Sequence, residues 1–237
     1  MPKHYNLPPA PEHPVFSPPF LIAGEKPISI EGFSGEPVLE GLVRIPENPT
    51  RAIVITHPHP LYGGSMHSAV PIAVAKVLAE KAPTTAVLRF NYRGIGKSEG
   101  SYDEGRGETF DARAAIRELR GLAPNVPLAL CGYSFGTWVG LRAAAMERNV
   151  DRVALIAPAV RIFEFVKEDA DSLGAPIAIF VGDEDEFVDV DEARALATTI
   201  GATIQIFEGN EHYFLKGRRK LAEAVVPFLV PELTQTV

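Results

Sequence analysis

The 237-residue chain is 46% hydrophobic and 22% charged, with a formal net charge of −7 at pH 7. That is enough chain and enough apolar content for one full globular core, which excludes a disordered protein, and the acidic balance gives no whole-molecule attraction for nucleic acid or an anionic membrane. No apolar stretch approaches the ~20 residues of a membrane span, and no signal-peptide core follows Met1-Pro2-Lys3-His4-Tyr5-Asn6, so a cytoplasmic location is expected.

Residues 1–20 hold seven prolines. Proline fixes φ and lacks an N–H, so residues 1–24 are expected to form an extended arm ahead of one domain over 25–237. Strands are expected at 28–31 and 38–45, separated by the turn residues Ser34-Gly35-Glu36-Pro37. Short continuous apolar runs then recur at 52–56, 86–90, 128–131, 153–156 and 177–181, with a last strand at 203–207. Such runs suit strands buried on both faces of a parallel sheet. Helical patterns alternate with them at 69–81, 108–122, 135–147, 190–200 and 218–228. In the second of these the apolar stripe reads Phe110, Ala114, Leu119, Leu122. The alternation predicts an α/β fold with a mostly parallel central sheet and helices on both faces. The lone cysteine, Cys131, lies in the apolar run 126–132 and reads as a buried core residue, and the basic run 216–220 as an exposed helix start.

The strand at 128–131 runs straight into Gly132-Tyr133-Ser134-Phe135-Gly136, and a helix follows. Gly-x-Ser-x-Gly between strand and helix resembles the nucleophile elbow of the α/β-hydrolase fold, in which a tight turn exposes the serine hydroxyl at the carboxyl end of the sheet. Such a serine needs a base, and the chain order is serine, acid, histidine. Of the six histidines only His212 follows Ser134, in the loop after the last strand. The acid is expected after the strand ending at Val181, in Gly182-Asp183-Glu184-Asp185-Glu186-Phe187-Val188-Asp189. Asp189 reads as a helix N-cap, which leaves Asp183 and Asp185. The oxyanion hole should take the N–H of Phe135 and one from the loop His57-Pro58-His59-Pro60-Leu61. Pro58 and Pro60 have no N–H, so His59 and Leu61 are the available donors, and His59 is favoured. His57 and His59 have alternate spacing that a metal site could use, but no third and fourth ligand clusters near them.

Four stretches together resemble small α/β-hydrolases related to dienelactone hydrolase and short-chain esterases. They are residues 57–66 (His57-Pro58-His59-Pro60-Leu61-Tyr62-Gly63-Gly64-Ser65-Met66), 88–100, Gly132-Tyr133-Ser134-Phe135-Gly136 and Gly182-Asp183-Glu184-Asp185. The resemblance spans about residues 36–230 and omits the arm. It implies that the acid is Asp185, three residues after Gly182. It also implies that the turn Arg93-Gly94-Ile95-Gly96-Lys97-Ser98 is structural. The family's His-Phe-Phe here reads His212-Tyr213-Phe214, which leaves the base unaffected.

The expected chemistry is hydrolysis of a small ester or thioester through an acyl-enzyme, with no cofactor and no metal. Acyl transfer or amide and peptide cleavage would use the same residues, and a non-catalytic ligand-binding hydrolase-like protein is the contrasting class. Self-association is left open. Only 18 residues, Pro158 to Ala175, separate two strands where this fold commonly inserts a lid. They suffice for a short helix drawn from Ile162-Phe163-Glu164-Phe165-Val166 and for loops, but not for a lid domain, since unsupported units below about 40 residues rarely fold.

Overall fold

A computed structural model describes residues 21–33 and 35–234. The predicted arm at 1–20 and Ser34 of the predicted turn lie outside the described residues. The chain order is β1 (Lys26–Ile30), β2 (Leu39–Arg44), β3 (Arg51–Thr56), α1 (Ala69–Lys81), β4 (Thr85–Phe90), α2 (Arg106–Leu122) and β5 (Leu128–Tyr133). There follow α3 (Phe135–Glu147), β6 (Arg152–Ile156), α4 (Lys167–Leu173), β7 (Ile177–Gly182), α5 (Val190–Ile200), β8 (Thr203–Phe207) and α6 (Arg218–Leu229). Single turns of 3₁₀ helix lie at Pro60–Tyr62 and Pro231–Thr234.

The strands form one sheet in the order β1-β2-β4-β3-β5-β6-β7-β8. β1–β2 and β2–β4 pair antiparallel, and the other pairs are parallel. Strands β3 to β7 are buried on both faces except at Arg152, the first residue of β6, which explains why they read as unbroken apolar runs. Their residues still alternate between the layers. Ala52, Val54, Leu128, Leu130, Val153 and Leu155 join the core beneath α2 to α5, while Ile53, Ile55, Ala129, Cys131, Ala154 and Ile156 join the core beneath α1 and α6. Burial pushes the Cys131 thiol up to about 12, which keeps it an inert packing residue.

Two local expectations are corrected. Helix α2 begins two residues earlier than its apolar pattern, and Phe110 and Leu122 are exposed. Ala114 and Leu119 of the predicted stripe are buried, and the buried face is completed by Glu108, Asp111, Ala112, Ala115 and Ile116. Two acids sit on that face because each has a buried task. The Glu108 carboxylate accepts the N–H groups of Asp103 and Gly105 at 2.9 and 2.7 Å and caps the helix, and Asp111 binds the guanidinium of Arg93 at 2.7 Å. The second correction concerns 158–175. The helix there is α4, whereas Ile162 to Val166 form a loop. Phe163 stacks on Trp138 at 4.9 Å and 13°, and the Trp138 indole N–H donates to the Glu164 carbonyl at 2.9 Å, which holds that loop over the sheet end.

Where strand order reverses, β3 has β4 on one side and β5 on the other, so the loops after β3 and β5 diverge and leave a crevice at the carboxyl edge. A buried ion pair braces this edge. The Arg89 guanidinium donates to Glu25 at 2.6 and 2.7 Å and to the Met66 carbonyl at 2.6 Å, with the side chains of Arg89 and Glu25 0% and 2% exposed. Removing one partner strands a buried charge. Glu25→Ala is therefore expected to destabilise the fold by about 3–5 kcal/mol, and Glu25→Leu with Arg89→Met by much less. Urea denaturation curves check the ranking; equal losses would mean that the pair's charges are irrelevant there.

Candidate active site

Ser134 sits between β5 and α3 with φ 54° and ψ −119°, a conformation that non-glycine residues rarely adopt and that stores strain. The turn closes this tightly because its flanks lack side chains. A Cβ on Gly132 would lie 2.5 Å from the Gly136 carbonyl oxygen, and one on Gly136 would lie 2.7 Å from that of His57. The Ser134 N–H donates to the Ile156 carbonyl at 2.9 Å, and the Thr137 hydroxyl donates back to the Ser134 carbonyl, fixing the hydroxyl-bearing residue from both sides.

The loops after β7 and β8 bring the other predicted residues to it. The Ser134 hydroxyl lies 2.9 Å from His212 Nε2, and His212 Nδ1 lies 2.9 and 3.1 Å from the two oxygens of Asp185. An ionised carboxylate only accepts, so Nδ1 carries the imidazole proton and Nε2 presents its lone pair to the serine O–H. The three residues are 4 to 7% exposed. Asp185 also accepts the Phe187 N–H at 2.9 Å, which sets its carboxylate plane. Asp183 is placed elsewhere: its carboxylate accepts the Gly209 N–H at 2.7 Å and is exposed. Asp189 is the N-cap of α5, accepting the Glu192 N–H at 2.8 Å.

The loop after β3 forms the opposite wall. The Leu61 N–H donates to His59 Nδ1 at 3.2 Å, and the Tyr62 and Gly64 N–H groups donate to the His59 carbonyl at 3.1 and 3.0 Å. The backbone N–H groups of His59 and Phe135 have no protein acceptor among the described residues. Phe135 opens α3, whose first N–H groups carry the positive end of the helix dipole. Burial lowers the imidazoles of His57 and His59 to about 3 and about 4, so both are neutral near pH 7. Each His57 ring nitrogen has a partner, the Pro58 carbonyl at 2.7 Å and the Tyr92 N–H at 3.1 Å. The described residues hold no cluster of three His, Cys, Asp or Glu side chains placed for a metal.

Ser134 and His212 open into a cavity of about 440 Å³, whose walls include His59, Tyr62, Phe163, Phe187 and Tyr213. Four of its features escape the sequence pattern. Tyr133 donates its hydroxyl to the His212 carbonyl at 3.1 Å, and burial raises its phenol well above the usual range. Ile162 and Phe163 supply a wall from the segment after β6, and Phe187 packs edge-on to the His212 ring at 4.7 Å. Arg218, read as part of an exposed basic run, also lines the cavity. Tyr133 and Phe187 stand beside motif residues, which is a usable signal. Arg218 gives none, because only the packing of α6 turns it inward.

A family model described as serine aminopeptidase, S33, matches residues 47–164. Uncharacterized protein RP471 of Rickettsia prowazekii (strain Madrid E) is 31% identical over 188 residues, 75% of this chain and 77% of that protein. XC6422 from Xanthomonas campestris, described as a member of the α/β serine hydrolases without a lid, is 30% identical, with a TM-score of 0.76 over 90% of this chain and 97% of that one. This chain belongs to the α/β-hydrolases without a lid. The lidless hydrolase has only α4 and its flanking loops where a lid would be inserted. Likeness of fold alone extends to Est1E from Butyrivibrio proteoclasticus, solved with ferulic acid bound, at 20% identity and a TM-score of 0.74 over 87% of the hydrolase and 99% of Est1E. No helix among the described residues of the hydrolase is long and apolar enough to cross a membrane.

Proposed function

We propose that the protein hydrolyses small esters or thioesters through an acyl-enzyme. The reading is carried by the unbroken hydrogen-bonded chain from Ser134 through His212 to Asp185 at the wall of an open cavity. Ser134 Oγ attacks the carbonyl carbon while His212 Nε2 takes its proton. Asp185 holds the tautomer and stabilises the imidazolium, and the N–H groups of Phe135 and His59 receive the oxyanion. Collapse breaks the bond to the alcohol or thiol, which leaves with the proton from His212. Water then attacks the acyl-serine by the same route and releases the carboxylic acid. Ferulic acid, held by Est1E, belongs to that product class.

The family model favours one second reading, removal of amino-terminal residues from peptides. A free α-ammonium needs an acidic partner, and among the described residues no Asp or Glu lines the cavity, while the cationic Arg218 does. This supports the ester reading. Fluorophosphonate labelling of the pure protein tests it, together with paired assays on nitrophenyl butyrate and aminoacyl nitroanilides. Labelling with ester turnover is expected. A protein that neither labels nor turns over esters would instead be a ligand-binding relative, and turnover of the anilides alone would make it a peptidase.

Acyl length is a further prediction. Each buried methylene contributes at most ~0.8 kcal/mol, and only where a wall covers it. With no lid, nitrophenyl acetate or butyrate should have a higher kcat/KM than the palmitate, with no rise at a lipid interface. A maximum at twelve carbons or more would mean that an apolar wall exists beyond this cavity.

A further inference from the structure

The loop after β3 contains a histidine that touches no substrate cavity. His57 is 0% exposed, and its ring packs against Tyr92 at 4.3 Å. Its Nε2 lies 3.1 Å from the Tyr92 backbone N, which can only donate, so Nε2 is the unprotonated nitrogen. Nδ1 therefore carries the proton and donates it to the Pro58 carbonyl at 2.7 Å. The tautomer is set by the backbone of β4's exit, and the neighbouring loop reads it.

The Pro58 carbonyl and the His59 N–H belong to one peptide unit. The unit is planar and trans, so its C=O and N–H point in opposite directions. Tying the carbonyl to His57 turns the N–H away from that ring. Pro58 and His59 both line the cavity with Ser134, and the His59 N–H has no acceptor among the described residues. Proline at 58 and at 60 adds stiffness on either side, and the His59 carbonyl is held by two N–H groups of the following turn. One peptide plane is thus clamped at the carbonyl and left open at the donor.

We infer that His57 is the positioning residue of the oxyanion hole: its imidazole clamps the Pro58 carbonyl and so aims the His59 N–H at the oxyanion formed on Ser134. The inference rests on the ester-hydrolase reading above. It separates His57 from a histidine kept only for packing, because the effect must appear in the transition state rather than in substrate binding.

Two substitutions divide the ring's two bonds. The amide nitrogen of Asn sits as many bonds from Cα as Nδ1 and can restore the donor to Pro58. The amide of Gln reaches the Nε2 position and can restore only the partner of Tyr92. With full-length protein and nitrophenyl butyrate, and with sites counted by fluorophosphonate labelling taken to completion, His57→Gln should lower kcat per site by about 10²-fold or more. KM should change little, and the shape of the pH–rate profile should stay as it is in the unsubstituted protein. His57→Asn should recover most of kcat. Inhibition by an alkyl trifluoromethyl ketone, whose adduct places an oxyanion in the hole, should weaken for Gln in step with kcat/KM. Equal kcat per site for Asn and Gln, or a Gln variant that loses only thermal stability, would overturn the inference while leaving the hydrolase reading intact. A wild-type protein that neither labels nor hydrolyses would sink the hydrolase reading and take this inference with it.

Discussion

Ser134→Ala is expected to abolish fluorophosphonate labelling and to lower ester turnover by about 10⁶-fold, the scale on which loss of a serine nucleophile acts when its base and oxyanion donors remain. The fold should survive, because the substitution removes one oxygen whose recorded partner is His212 Nε2 at 2.9 Å. Stability offers an internal check on the elbow. Alanine keeps a Cβ and so keeps the strain of φ 54°, whereas glycine relieves it. Ser134→Gly should therefore be more resistant to urea than Ser134→Ala by up to about 1–3 kcal/mol. Intact circular dichroism with wild-type labelling in Ser134→Ala would move the nucleophile elsewhere, and Cys131 is no rival because it is buried with its thiol kept protonated.

The second large effect lies at Asp185. Its carboxylate receives the His212 Nδ1 proton at 2.9 Å, which leaves the Nε2 lone pair for the serine. Asn at this position can turn its NH₂ to Nδ1 and favour the tautomer protonated at Nε2. That tautomer donates to Ser134 and cannot take its proton. Asp185→Asn should therefore lower kcat by about 10⁴-fold with little change in KM. Asp183→Asn should leave kcat unchanged within error, since an amide oxygen can still accept the Gly209 N–H now held at 2.7 Å. Steady-state kinetics of the two variants side by side checks the assignment; the reverse ranking would hand the role to Asp183.

Much of this molecule is written in local pattern. Strands buried on both faces cannot show polar alternation, so β3 to β7 stand out as short apolar runs, and their boundaries in the structure shift by one or two residues. Ser134 and His212 were legible for a similar reason. The elbow must place glycine on both sides of the serine to avoid backbone overlap, and only one histidine follows it in the chain. Asp185 was not separable from Asp183 by chemistry alone, because both stand in one acidic loop. The resemblance to small esterases singled it out, and the fold brings that carboxylate, rather than its neighbour, to His212.

What depended on tertiary structure is what touches across distant segments. Of the predicted α2 stripe, Ala114 and Leu119 are buried but Phe110 and Leu122 are not; that face also takes Asp111, made tolerable by Arg93 from the loop after β4, and Glu108, which caps its own helix. Ile162 to Val166 were read as helix material, yet Trp138 of α3 holds them as a loop. Which of the two candidate donors, His59 and Leu61, has a partner was not legible either: His59 Nδ1 accepts the Leu61 N–H, while the His59 N–H has no acceptor among the described residues. Arg218 reaches the cavity through the docking of α6 on α1, a contact between helices more than a hundred residues apart. Local sequence determined the strands and the elbow and singled out His212 as the candidate base, because backbone sterics and burial act on neighbouring residues and chain order leaves one histidine after the elbow. The placement of Asp185 against His212, the donors left without an acceptor among the described residues and the cavity walls were decided by packing, because hydrogen bonds and ring contacts form between residues that only the fold makes neighbours.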